Sequence, residues 1–225
     1  HEVQIRRGVG VRRIKPYNPL DKTNLGASVA EAMLERSVEP LAVVEPFLGA
    51  GIYAIYYVGD FEPYERISSH NRDGEFNIPI YVGKAVPPGA RKGNFGLEDT
   101  SGTPALHKRL KEHAESIKLA ENLDAKDFFC RFLVVEDIWI PLGEALLIAK
   151  FSPLWNKLID GFGNHDPGKG RYNQQRSRWD VLHPGRKWAL QCQERPENVE
   201  QIKQDVKNHL RQQLVPEKPG MFDAG

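Results

Sequence analysis

Apolar residues recur along the chain in blocks of two spacings, and the blocks predict its elements. Val29, Met33 and Leu34 follow Ser28 and Glu31, a capping-box pair, and predict a short amphipathic helix that ends before Pro40. Residues 42–47 are apolar and predict a short strand. Residues 51–58, Gly-Ile-Tyr-Ala-Ile-Tyr-Tyr-Val, are rich in β-branched and aromatic types and predict a longer one. A polar stretch over 59–77 exceeds what a hairpin needs, and residues 78–82 predict a second core strand closed by Gly83. Behind Thr103 as cap and Pro104 at the first helical position, Leu106, Leu110, His113 and Ile117 share one helical stripe. The near-continuous apolar run 128–135 predicts a strand buried on both faces. A helix over 142–151, opened by Pro141, is apolar around most of its circumference and should lie centrally. A polar helix over about 196–214 closes the pattern. The order strand, strand, helix, strand, helix predicts an α+β fold with a small three-stranded antiparallel sheet flanked by helices.

Composition adds organisation. The chain has 225 residues, enough for one large domain or a core with substantial elaborations, and its 40% hydrophobic and 27% charged content is normal for a globular protein. Its apolar runs are too short for a membrane helix, and no basic-then-apolar leader opens it. Cys130 and Cys192 have neither metal nor redox spacing and point to a reducing, cytoplasmic setting. Net charge is only +1, but the signs are segregated. Arg6, Arg7, Arg12, Arg13 and Lys15 crowd the first segment, Arg91 and Lys92 a Gly/Pro-rich one, and Lys169, Arg171, Arg176, Arg178, Arg186 and Lys187 a later one, whereas Glu31, Glu35, Glu39 and Glu45 lie elsewhere. Such segregation suggests a basic face; any one cluster could equally be an ordinary solvated surface. The expected layout is an N-terminal arm and helix over 1–44, a core over about 45–157, an inserted loop over 87–103 and a C-terminal extension over 158–225.

Within the core, a few polar residues stand where apolar ones would suffice. Tyr53 and Tyr81 could hold a water or a phosphate through their hydroxyls, or only pack through their rings. Arg109 and His113, four apart, project from one helix face. A guanidinium suits phosphate and an imidazole can take a proton from a tyrosine; equally, the pair could be a surface arginine and a satisfied core histidine. Glu144, in an otherwise apolar helix, is either a ligand for Mg²⁺, which takes one or two carboxylates with phosphate and water, or a partner of the helix dipole. Asn156 could bind phosphate or cap a turn. Residues 161–168 read as a turn in reach of a DNA backbone. No Walker loop, zinc spacing or serine elbow competes.

Gly51-Ile52-Tyr53, Tyr81-Val82-Gly83, Arg109-x-x-x-His113, Glu144 and Asn156 stand in the order of the GIY-YIG nuclease signature, and the chain resembles that superfamily over about residues 45–157. Val82 replaces an isoleucine, and the stretch between the first two motifs is longer than in a minimal member. The resemblance implies hydrolysis of a phosphodiester by water. Tyr53 would be the general base or position the water, aided by His113. Tyr81 would contact the phosphate region, Arg109 would stabilise the transition state, Glu144 would hold one Mg²⁺, and Asn156 would complete the phosphate site. The embellished core looks like type II restriction endonucleases of the group that cuts CCGCGG. The runs Gly-Asn-His-Asp-Pro-Gly at 163–168 and Leu-His-Pro-Gly-Arg-Lys-Trp-Ala at 182–189 strengthen that likeness. It implies double-stranded DNA as partner, a homodimer matched to a palindrome, and a cognate DNA methyltransferase that protects host DNA without touching this chain. Lys84, Arg91, Lys92, Lys169, Arg171, Arg176 and Arg178 are then the candidate DNA contacts. The competing classes are a structure-specific repair or homing nuclease and a non-catalytic nucleic-acid-binding module.

Overall fold

The computed structural model describes residues 16–87, 102–168 and 172–213. Its centre is a four-stranded antiparallel sheet in the order β1-β4-β2-β3, made of β1 (Glu39–Pro40), β2 (Gly51–Tyr57), β3 (Tyr81–Ala85) and β4 (Phe128–Val134). The fold is α+β as the pattern predicts, with one short strand more than the three expected. Every residue of β2 is buried, because it pairs on both sides and is covered on both faces. Its alternation sorts the layers. Ile52, Ala54 and Tyr56 face a cluster with Ala30 and Met33 of α1 (Lys22–Leu34) and Leu147 of α4 (Ile140–Phe151). Tyr53, Ile55 and Tyr57 face the other cluster, with Leu106, Leu110 and Ile117 of α3 (Ala105–Leu119). The strand period thus turns Tyr53 toward the helix that carries Arg109 and His113.

The C-terminal extension belongs to that second cluster. After α5 (Leu154–Lys157) come α6 (Arg178–Leu182), a 3-10 turn over Lys187–Gln191 and α7 (Val199–Gln213). Trp179 and Leu182 of α6 and Ile202, Val206 and Leu210 of α7 are buried with Tyr64, Ile67 and Trp155.

Several expectations are corrected. Residues 42–47 form no strand. A 3-10 turn over Leu41–Val43 follows β1, where Pro40 lacks the N–H that would extend the ladder, and Phe47 stacks on Phe132 at 4.5 Å. The polar stretch 59–77 contains α2 (Glu65–Arg72). Its buried polar residue Asn71 bonds the backbone of Tyr57 and Ile78, so the helix is fixed by side-chain hydrogen bonds that apolar periodicity does not register. α1 begins at Lys22, which places Ser28 inside it and not at its cap. α3 begins one residue later than expected, with Pro104 at its N-cap. The second core strand is shifted to Tyr81–Ala85, so Gly83 sits inside it. Most of the expected 87–103 insert and the first fifteen residues of the arm lie outside the described residues. No helix among the described residues is long and apolar enough to cross a membrane.

Candidate active site

β2, β3, α3 and α4 each bring one or two polar side chains to one region. Tyr53 Oη lies 2.6 Å from His113 Nε2, and both residues are buried. Burial raises the Tyr53 hydroxyl well above its ordinary range; nearby Tyr81 adds to this and Arg109 opposes it. Burial likewise holds His113 well below the ordinary imidazole range, and the Arg109 charge adds to that. A protonated phenol beside a neutral imidazole fits Tyr53 donating to Nε2. Gly83 makes room for the phenol: it pairs with Tyr53 across the sheet, and a Cβ there would collide with the Tyr53 hydroxyl.

Tyr81 presents its ring to both partners, its centroid 6.2 Å from that of Tyr53 and 5.3 Å from that of His113. Burial raises its hydroxyl too, with Arg109 opposing. Arg109 is held on three sides. Nη1 donates to Glu112 Oε2 at 3.1 Å and to His165 Nε2 at 2.6 Å, and Nη2 donates to the Gly163 carbonyl at 3.0 Å.

Glu144 lies beyond the first turn of α4, so the helix dipole does not account for it. Its Oε2 pairs with Lys84 Nζ at 2.6 Å. The carboxylate therefore already accepts a cation, and its side chain is 19% exposed. Among the described residues no three or more His, Cys, Asp or Glu side chains gather as a metal cage. A single reachable carboxylate fits Mg²⁺, which keeps most of its shell as water and substrate phosphate. Lys84 thus stands at the acidic centre of the site.

Three expected contacts take other positions. Asn156 lies inside α5 and neither caps a turn nor points its amide outward: Oδ1 accepts the Val82 N–H at 2.8 Å and Nδ2 donates to the Val82 carbonyl at 2.8 Å. It continues the ladder of edge strand β3 and anchors the Tyr-Val-Gly segment. Arg176 donates to the carbonyls of Ala189 and Leu190. Arg178 is 13% exposed and pairs with Asp205 and Glu197. Both arginines are spent on the extension, because its irregular backbone and acidic side chains offer acceptors inside the molecule. Arg91, Lys92, Lys169 and Arg171 lie outside the described residues.

Two groups take roles that the sequence does not announce. His165 comes from the turn at 161–168 and reaches Arg109. Arg186, counted among the basic face, is 3% exposed and pairs with Asp180 at 2.7 Å.

A family model described as the Eco29kI GIY-YIG domain matches residues 45–210. The chain belongs to that restriction endonuclease family. The curated proteins contain no match. The Eco29kI match runs past the core to residue 210, so the part of the extension that supplies His165 and Arg186 lies within the span of the family model. Membership makes the chain a GIY-YIG nuclease of restriction type and DNA its implied substrate.

Proposed function

We propose that the chain is a Mg²⁺-dependent type II restriction endonuclease that cuts a short palindrome in double-stranded DNA as a homodimer. CCGCGG is the site to test first. The observation that carries the chemistry is the 2.6 Å contact of Tyr53 with His113, held neutral by burial beside Arg109. A phenol with a raised pKa is a poor base alone. With His113 as acceptor, the attacking water gives its proton to Tyr53 Oη as the tyrosine proton passes to His113 Nε2, so no free phenolate is needed. Arg109, permanently charged and already fixed, stabilises the negative phosphorane oxygens. Glu144 would hold Mg²⁺, which when bound supplies neutralising charge and Lewis acidity at the phosphate. Lys84, freed from Glu144, would contact the DNA backbone. Asn156 acts on β3, and a role in the phosphate site is not proposed for it. Tyr53 has no exposed surface, so the arriving phosphate has to open a path to it.

The test is incubation with plasmids that carry or lack CCGCGG, with and without Mg²⁺. Discrete fragments confined to the first plasmid, with common end sequences and a dimer by sizing, are expected; substrate methylated by a cognate methyltransferase should resist. Glu144→Gln should bind DNA but not cut it. Fragments without a common end sequence would exclude site specificity, and a gel shift without cutting would leave only binding.

A further inference from the structure

Glu112, on the same helix, holds one side of the Arg109 guanidinium. Here much of the orientation comes from a segment more than fifty residues downstream. Gly163 O and His165 Nε2 hold Arg109. Immediately before Gly163 is Phe162, whose ring stacks on His113 at 4.4 Å and 16° and meets Tyr81 edge-on at 5.0 Å and 79°. One irregular strap, residues 161–165, therefore touches three of the candidate active-site side chains. Gly163 has no slack: a Cβ there would lie 2.9 Å from Arg109 Nη2 and 3.1 Å from the Tyr81 hydroxyl.

The strap has little regular structure of its own, and its carbonyls turn inward. Arg186 collects them. Its Nη1 donates to Phe162 O at 3.2 Å and Asn164 O at 3.1 Å, its Nη2 to Gly161 O at 2.9 Å, and its Nε to Asp180 Oδ1 at 2.7 Å. Asp180 is itself fixed by the Ser177 hydroxyl at 2.6 Å. The rings of Trp179 and Trp188 lie 4.4 and 4.9 Å from the guanidinium carbon. A planar group with forked donors is the side chain that can satisfy carbonyls in several directions at once, which an ammonium cannot do.

We propose that Arg186 is a positioning residue for catalysis: it clamps the 161–165 strap so that Gly163 and His165 hold the Arg109 guanidinium, and Phe162 holds His113, in working order. The proposal rests on the nuclease function argued above. It gives the extension a task beyond DNA contact, namely to complete the core's catalytic wall.

The test compares wild type with Arg186→Lys, Arg186→Met and Gly163→Ala. Arg186→Lys keeps the charge and the Asp180 pair but loses the fork, and so serves if Arg186→Met fails to fold; Gly163→Ala presses directly on the Arg109 guanidinium and the Tyr81 hydroxyl and tests the strap's own contact with them. Single-turnover cleavage, DNA affinity in Ca²⁺ and thermal melting are measured for each. For folded Arg186→Lys and Gly163→Ala the expected result is a rate loss on the order of 10²-fold, the scale of an ångström-level misplacement, with DNA affinity within about twofold. Rates within about threefold of wild type would overturn the proposal, as would equal losses in rate and affinity, which would make Arg186 part of the binding face. NMR relaxation of the Arg109 guanidinium adds a readout that needs no cutting. It should show greater mobility in Arg186→Lys, and unchanged order would overturn the clamp even if the wild type proved to be only a DNA binder.

Discussion

A glycine inside a strand normally weakens it; at position 83 it is the space that a buried tyrosine needs. Gly83→Ala forces the phenol or the strand to move, so a stability loss of about 1–3 kcal/mol is expected. It should come with a drop in cutting larger than that loss explains, read from urea unfolding and single-turnover cleavage of the same sample. Tyr53→Phe asks the cleaner question, since the ring stays and only the hydroxyl leaves. Cleavage should fall by roughly two to four orders of magnitude with the fold retained; near-normal cutting would show that the tyrosine only packs. These residues were legible in the sequence because glycine in a strand and polar groups on an apolar helix stripe are local anomalies. Asn156 was legible as a candidate, but its partners and the role of Arg186 were not. The partners of Asn156 are backbone atoms of Val82, and those of Arg186 are carbonyls some twenty residues away, and no residue type announces a backbone partner. A letter that carries charge also says nothing of burial, which is why Arg178 and Arg186 were counted with an exposed face.

At the scale of elements, the period-two alternation of β2 predicts where its tyrosines point, and the structure places Tyr53 and Ile52 on opposite faces as alternation requires. α2 escaped because it buries a single apolar residue, Ile67, beside the polar Ser68 and Asn71, and β1 because a two-residue strand has no periodicity to detect. Asn156 shows how one element can stand in for another: its amide supplies to edge strand β3 the donor and acceptor that a neighbouring strand would. Asn156→Ala leaves the Val82 N–H and carbonyl without these partners. A destabilisation of about 1–3 kcal/mol is expected, together with slower cutting through displacement of Tyr81 and Gly83. DNA affinity should hold. Urea unfolding and a binding titration on one preparation separate the possibilities, because a phosphate-binding Asn156 would instead lose affinity and keep its stability.

In the folded molecule at rest two buried histidines, His113 and His183, are held neutral. His183, from the extension, is buried between Tyr64 Oη, 2.6 Å from its Nε2, and Asn122 Oδ1, 2.8 Å from its Nδ1. Tyr64 also accepts from Trp155 Nε1 at 2.9 Å, so its own proton is free for Nε2, which fixes His183 as the Nδ1–H tautomer. Burial, with the Arg186 charge adding, depresses His183 to about 3, and His113 is depressed in the same direction. The unfolded chain therefore binds more protons than the folded one below the ordinary imidazole pKa. Stability contributed by each histidine is fully present above about pH 6.5 and is lost as pH falls toward the folded value, at up to about 1.4 kcal/mol per pH unit. Between pH 7 and 5 most carboxylates stay ionised in both states, so histidines dominate this window. Urea midpoints should fall steadily across it. His183→Gln, which cannot titrate, should be less stable at pH 7 because the Tyr64 and Asn122 bonds are disturbed, yet its profile should be shallower by up to about 1.4 kcal/mol per unit. An unchanged slope in that variant would mean that His183 is solvated in the folded chain and that the extension is not docked through it.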